Sequence, residues 1–338
     1  MTKKRDKNTK FVGIDIGSYS IKIVALEKIS TKYTLSEYNI KKIPINTEPE
    51  QLEGIIKESL EEVGISPNKV NLSVSGPDVI VRFIDFPKMT EEQLEDALVY
   101  EAEKYIPFNL SEVITDFIIL GDAQESGQMK VILAAAKKSM VLPMLEVIKQ
   151  VGMEVEVVDV DSFALFNAFF YANPLVENKC YALLDFGHSR TNVLISDGKA
   201  PCFIRQIQIG GKNIDESLIR DLSLSLEESE KCKLGLSELD KDAIMKSTTP
   251  ILDSLLKELQ LSFTYFENRT NKKIEEIYCC GGMIEQERVF EYLNENLGIQ
   301  MKKWNLFNSI GFSGNLSQED VHSVSSQLVV SLGLALRG

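Results

Sequence analysis

Histidine is almost absent from this chain, with two in 338 residues, His188 and His322. That scarcity argues against a Ser-His-Asp triad or a histidine-built zinc centre, since both need imidazole beside other reactive groups. Cysteine offers no framework either: Cys180, Cys202, Cys232, Cys279 and Cys280 follow no regular spacing, and their number is odd. With no apolar signal core ahead of the first strand, free thiols in a reducing cytoplasm are expected rather than a disulfide scaffold. No apolar run approaches the roughly 20 residues that a membrane-spanning helix needs. Positive charge is in the minority, 37 basic against 50 acidic residues, for a net charge of −13. A general nucleic-acid surface, which depends on clustered basic side chains, is therefore not expected. A single nucleotide is not excluded, because backbone N–H groups and one or two lysines suffice for its phosphates. The basic start, Met1-Thr2-Lys3-Lys4-Arg5-Asp6-Lys7, reads as part of a flexible solvated tail over residues 1–10.

What the chain does carry is one small pattern twice. An apolar strand ends in Asp-x-Gly, hydroxyl-bearing residues follow, and a second strand begins. The first copy is Asp15-Ile16-Gly17-Ser18-Tyr19-Ser20, leading to Lys22; the second is Asp185-Phe186-Gly187-His188-Ser189-Arg190-Thr191. Glycine lets bare backbone approach a ligand, and successive N–H groups at the bend form an anion nest. Ser18, Ser20, Ser189 and Thr191 add hydroxyl donors, and Lys22 can reach a phosphate as a point charge. Asp15 and Asp185 would repel phosphate, so they make sense facing a cation, Mg²⁺ through its waters. Either hairpin alone could be a tight turn using glycine and aspartate for local reasons. Two copies, with Gly210-Gly211 and Gly281-Gly282 also following strands, point to related halves closing on one phosphate chain.

Periodicity supports an α/β fold. Strand character runs from residue 11 to about 43, a helix from Pro49 to Val63, and a strand from Val70 to Ser75. Residues 79–152 then read strand, helix, two strands, helix, a compact α+β insert whose first helix opens on the capping-box spacing of Thr90-Glu91-Glu92-Gln93. A strand at 155–160 and an apolar helix at 163–171 precede the second hairpin. Helices follow from Asn213, around 227–234 and from 240 to 268, then a strand at 274–280, a helix at 286–297 and one final helix over 323–336. Trp304, the single tryptophan, is expected to pack.

Asp15-x-Gly17, Asp185-x-Gly187 and Gly281-Gly282 resemble the two phosphate motifs and the adenosine motif of the actin-like ATPase superfold. Glu230-x-x-Lys233 is similar to the Glu-x-x-Lys that bacterial actins use on the nucleoside, although an i, i+3 ion pair on a solvated face is the plainer reading. Within the superfold, three segments resemble the PilM family of type IV pilus assembly, related to the division protein FtsA. They are Glu101-Ala102-Glu103-Lys104-Tyr105-Ile106-Pro107-Phe108, Val158-Asp159-Val160-Asp161-Ser162-Phe163-Ala164-Leu165 and the ending Gly333-Leu334-Ala335-Leu336-Arg337.

That resemblance implies an actin-like (ribonuclease H-like) two-domain fold. Subdomain 1A would take residues 11–75 and 153–180, an inserted 1C residues 76–152, and a second half residues 181–338 with 2B at about 212–273. It implies ATP and Mg²⁺ between the halves. The residues carried over are Asp15, Gly17, Ser18, Tyr19, Ser20, Lys22, Asp185, Gly187, His188, Ser189, Arg190, Thr191, Gly210, Gly211, Lys212, Glu230, Lys233, Gly281, Gly282 and Met283, with Asp15 and Asp185 on the metal through water. It further implies that the N-terminal tail of a PilN-like inner-membrane protein lies in a groove between 1A and 1C. Contacts with other inner-membrane and motor components of the pilus would follow, with recruitment from the cytoplasm to the inner face of the inner membrane. Self-association is left open, and Tyr105 to Phe108 reads either as core of the insert or as a wall of that groove.

The chain departs from the family pattern at the second hairpin, where His188, Ser189 and Arg190 stand in place of small residues; this bears on turnover more than on binding. Asp161 is the candidate to position an attacking water, with Asp159 as substitute and a helix N-cap or first-turn acid as the plainer role. Nucleotide binding is thus expected, with hydrolysis slow or absent. The alternatives are an FtsA-like filament protein, a type II secretion platform and a small-molecule kinase of the same superfold. The kinase lacks a sugar-pocket signature, and no amphipathic membrane tail follows Arg337-Gly338.

Overall fold

A computed structural model describes residues 10–337 except 31, 45–46, 67, 124–126, 174–175, 178, 234–236, 238, 305–308 and 315. Nine of the ten residues assigned to the basic tail, 1–9, lie outside the described residues.

β1 (Lys10–Ile16), β2 (Ser20–Ile29) and β3 (Lys32–Lys42) form an antiparallel meander. α1 (Pro49–Glu62) crosses over, and β4 (Lys69–Val74) returns parallel to β1. The insert follows as β5 (Val79–Pro87), α2 (Glu91–Glu101), β6 (Val113–Asp122), β7 (Gln128–Lys137) and α3 (Lys138–Gln150). Its strands make a separate antiparallel sheet in the order β5-β7-β6. The capping box on α2 is present: Gln93 N donates to the Thr90 hydroxyl and Thr90 N donates to the Gln93 side chain. Such a cap contributes about 1 kcal/mol. β8 (Glu154–Val160) then joins the first sheet parallel to β4, and α4 (Asp161–Ala172) packs beneath it.

The second half repeats the plan. β9 (Cys180–Phe186), β10 (Thr191–Ser196) and β11 (Pro201–Ile207) form the meander. α5 (Gly211–Leu222), α6 (Leu226–Lys233) and α7 (Lys241–Thr270) cross over to β12 (Ile274–Cys280), which lies parallel to β9. α8 (Glu287–Asn296) leads to β13 (Met301–Lys303), parallel to β12. The strand orders β3-β2-β1-β4-β8 and β11-β10-β9-β12-β13 are one path traced twice.

The end of the chain behaves differently from the sequence expectation. β14 (Gly311–Phe312) pairs with β3, so this segment joins the first sheet, although the family resemblance places residues 181–338 in the second half. The expected single helix over 323–336 is broken into α9 (Gln318–Val324), a 3-10 turn at Ser325–Leu328 and α10 (Val329–Ala335). The break lets Ser326 O accept from Gly281 N at 2.9 Å. Every residue of α10 is buried, so the helix needs walls on several sides. Small residues admit it: a Cβ on Gly13 would lie 2.0 Å from Ser331 O, and one on Gly333 would lie 1.9 Å from Ala164 O. Asn71 of β4 donates from Nδ2 to Leu334 O at 2.9 Å and fixes the helix against the sheet.

One core joins the two halves. Phe169 of α4 meets Tyr278 and Trp304 edge-on at 5.0 and 5.2 Å and Tyr181 at 5.3 Å. Leu35, Leu165, Leu183 and Leu328 pack in the same cluster. Trp304 thus packs, as its sequence context suggests.

Candidate functional site

The two Asp-x-Gly turns close with the same hydrogen bond. Gly17 N donates to Ser20 O at 3.1 Å, and Gly187 N donates to Arg190 O at 3.0 Å. Strand pairing sets Asp15 opposite Lys22 and, at the equivalent place, Asp185 opposite Asn192. Both turns open on one cleft of about 930 Å³ between the halves. Ser73 and Ser75 at the end of β4 and Asp161 at the start of α4 complete one wall; Gly211, Gly281 and Gly282 belong to the other.

Lys22 donates to Asp15 Oδ2 at 2.9 Å. Burial works against its ammonium, but Asp15, helped by Asp185 and Asp161, outweighs it and the pKa is raised. Burial, then the neighbouring Asp15 charge, pushes the Asp161 carboxyl up to about 6, against the pull of Ser75 and Ser73. The Ser73 hydroxyl acts there only as a nearby dipole, for it makes no hydrogen bond. Asp161 is not the cap of α4: Val160 holds that position and no side chain caps it. Asp185 is raised mainly by burial and relieved by Asn192, whose Nδ2 donates to Oδ2 at 3.1 Å.

Three carboxylates therefore surround one ammonium, a surplus of negative charge that suits a cation. Among the described residues no three acids converge closely enough to ligate a metal directly. The set fits a magnesium ion that keeps its water shell. Asp159 cannot replace Asp161. Its carboxylate accepts from Val160 N at 2.8 Å and pairs with Arg337 at 3.2 Å, because β8 ends at Val160 and strand parity does not carry into the helix.

At the rim, Ser18 is exposed and Ser20 buried, while the Tyr19 ring meets the His188 ring across the cleft at 4.9 Å. The Lys42 and Lys233 ammonium groups lie 5.1 and 5.8 Å from the Tyr19 ring centre. Glu230 and Lys233 turn to different partners: Glu230 accepts from Lys42 at 2.6 Å, and Lys233 donates to buried Asp215 at 2.5 Å. Burial works against the charged Glu230, but Lys42 outweighs it and the pKa is lowered. Ser189 lines the cleft, and Arg190 crosses to the first half, its Nη1 3.4 Å from Ser75 Oγ.

Three carried-over residues stand behind the cleft instead. Thr191 spends its hydroxyl on Ile209 O at 2.8 Å. Gly210 underlies the second turn, where a Cβ would meet His188 O at 2.5 Å. Lys212 runs along α5 to Glu216 at 3.8 Å. Gly211 remains at the cleft, its N–H donating to Gly187 O at 3.0 Å. Gly281 has φ +99°, and a Cβ there would lie 2.4 Å from Phe186 O and 2.7 Å from Asp185 Oδ1, so only glycine fits. Gly282 and Met283 follow in a 3-10 turn and line the same wall.

Asn192, Asp215, Lys42 and Ser73 belong to this constellation and escaped the sequence reading. Asn192 had a signal: it lies seven residues after Asp185, as Lys22 lies seven after Asp15. Tyr105, Ile106 and Phe108 pack inside the insert, Ile106 buried and Phe108 under the Lys137 ammonium at 4.6 Å.

A doubled strand path with paired Asp-x-Gly turns on one cleft is the actin-like ATPase fold, a nucleotide-binding class. The chain belongs to the family of the type IV pilus assembly protein PilM, whose sequence model matches residues 13–338. It is similar to a solved chain of a PilM-PilN type IV pilus biogenesis complex, at 28% identity and TM-score 0.87, over 96% of this chain and 97% of that one. It is also similar to the ethanolamine utilization protein EutJ from Carboxydothermus hydrogenoformans, at 13% identity and TM-score 0.58 over 99% of this chain and 92% of that one, which speaks for the fold alone. These matches do not favour the filament, secretion or kinase alternatives.

Proposed function

We propose that this chain is an ATP-binding platform of type IV pilus assembly that receives the N-terminal tail of a PilN-like membrane protein. The pair of turns facing one cleft, with Lys22 among three carboxylates, carries the nucleotide part. The N–H groups of both turns, Ser18 and Lys22 would hold phosphates, and Asp15 and Asp185 the waters of Mg²⁺. A bound magnesium ion would neutralise phosphate charge. Gly281 and Gly282 offer bare backbone to the nucleoside, and Glu230 and Lys233 stand at the same cleft. Asp161 is the acid available to orient a water, yet the crowding by His188 and Arg190 favours slow turnover or none.

The partner part rests on the likeness to the PilM-PilN complex. The seam between the insert and the first sheet offers Val81, Ala136, Val158 and Phe163, partly covered around buried Val79, Val141 and Val160. An extended apolar peptide can lie along such a seam. Among the described residues no helix is long and apolar enough to cross a membrane, and in this reading the partner brings the protein to the inner face of the inner membrane.

Calorimetry tests both parts. Asp15→Ala and Asp185→Ala should each weaken Mg-ATP by about tenfold or more; unchanged affinity would sink the nucleotide reading. Val158→Asp should weaken a synthetic PilN-like N-terminal peptide about tenfold while leaving nucleotide affinity alone, because a buried unpaired charge is costly. A wild-type protein that ignores the peptide at millimolar concentration sinks the partner reading.

A further inference from the structure

Among the described residues, Asn71 Oδ1, Ser73 Oγ, Ser162 Oγ and Asn192 Oδ1 are buried without a hydrogen-bond partner. Two of them, on Ser73 and Asn192, belong to residues on opposite walls of the nucleotide cleft. Asn192 is only 3% exposed, and its Nδ2 is held by Asp185 Oδ2 at 3.1 Å. With Asp185 as a carboxylate acceptor, the amide turns its nitrogen toward it and leaves its oxygen stranded. A buried acceptor left stranded gives up the hydrogen bonds it had in water and gets none back. Register sharpens the point, since Asn192 stands against Asp185 where Lys22 stands against Asp15. Lysine cancels the charge it faces; asparagine orients Asp185 and cancels nothing. Across the cleft, Ser73 sits beside Asp161 with its hydroxyl also unpartnered.

We propose that Asn192 Oδ1, together with Asp185, accepts hydrogen bonds from one water in the shell of a hydrated hard divalent cation. This rests on the Mg-nucleotide reading above and adds a residue to it. A cation-bound water is a strong donor, and Asn192 lines the cleft that the cation's shell would fill while being only 3% exposed to bulk solvent. Carboxylate and amide oxygens as the acceptors suit the water shell of magnesium or manganese rather than a soft metal. Asn192 is thus a positioning residue that acts through the cation's shell, with Ser73 giving weaker help from the facing wall.

The experiment is calorimetric titration of the full chain with ADP and ATP, in excess Mg²⁺ and in EDTA. Asn192→Leu keeps the volume and removes the oxygen together with the amide that holds Asp185; Asn192→Asp gives up the same amide but keeps an acceptor, so the difference between the two variants isolates the oxygen. Wild type should gain affinity from magnesium. Asn192→Leu should keep its metal-free affinity and lose about tenfold of that gain, as outer-shell changes do. Asn192→Asp should retain the gain, and Ser73→Ala should lose a smaller part of it. A leucine variant with the full gain, or one weakened equally with and without magnesium, overturns the proposal. So does an aspartate variant that behaves like leucine. In all three cases nucleotide still binds wild type, and the underlying reading survives. Absence of any nucleotide binding by wild type overturns both.

Discussion

The two hairpins share a backbone and differ in what they put on it. The first carries Ser18, Tyr19 and Ser20 at its turn and sets Lys22 against Asp15 at 2.9 Å. The second carries His188, Ser189 and Arg190 and sets Asn192 against Asp185 at 3.1 Å. One half therefore supplies fixed positive charge, while the other supplies side chains long enough to reach across. His188 meets Tyr19 ring to ring at a tilt of 40°, Arg190 approaches Ser75, and Gln206 accepts from Gly76 N at 3.1 Å. With Lys42 bound to Glu230, these four contacts join the two halves. A duplicated plan has been divided into a gripping turn and a bridging turn.

The largest test of that division removes the grip. Lys22→Met leaves Asp15, Asp161 and Asp185 facing one another without their buried cation. Loss of one partner from a buried pair costs about 3–5 kcal/mol. Denaturant unfolding should show that loss and calorimetry should find no measurable ATP affinity; a mild effect on both would mean the two turns are interchangeable.

Next comes the link between the bridging turn and the glycine pair. Gly281→Ala puts a Cβ 2.4 Å from Phe186 O at φ +99°, so a loss of roughly 1–3 kcal/mol is expected by thermal or denaturant melting. The same change at Gly54, where a Cβ meets nothing within 4 Å, should be neutral or slightly stabilising.

Asp161 tests the charge surplus through pH. Its folded carboxyl is raised to about 6 by burial and Asp15, against about 3.9 in the unfolded chain. A raised acid destabilises the fold when ionised, so the penalty is full above pH 6 and disappears as pH falls toward 4. Asp161→Asn should raise the Tm of the nucleotide-free protein by about 2–4 °C at pH 8 and leave it unchanged near pH 4. A lowered Tm at pH 8 would show that Asp161 is already compensated.

The smallest effect belongs to the rim. Lys42 is 49% exposed in its pair with Glu230, so Lys42→Ala should cost less than about 1 kcal/mol. Its value as a test lies in hydrogen exchange: amides of residues 187–190 should exchange faster if the rim pair helps hold the walls together, and unchanged protection would reduce it to a surface ion pair.

Much of this was legible in the chain. Asp15, Gly17, Asp185, Gly187 and Gly281 carry a backbone requirement that shows as a short pattern after an apolar run, and each lines the cleft. Thr90 and Gln93 declared the start of α2 because a cap is local. Lys212 and Thr191 misled because adjacency to a turn says nothing of which way a side chain leaves it. Asp159 and Asp161 looked interchangeable on a strand period that ends one residue too early. The ending was the least legible: α10 is buried on every side, and periodicity cannot say which walls it will take.

Sequence by itself determined the pieces whose physics is local: two glycine-bent hairpins, the caps, the alternation of strands and helices, and the family likeness of three short segments. Tertiary structure decided the pairings. Lys233 with Asp215, Lys42 with Glu230, β14 with β3 and Ser326 with Gly281 join residues that are distant in the chain. The physical reason is that a buried charge or open backbone group must find a partner somewhere, and only the packed fold fixes which one is within reach.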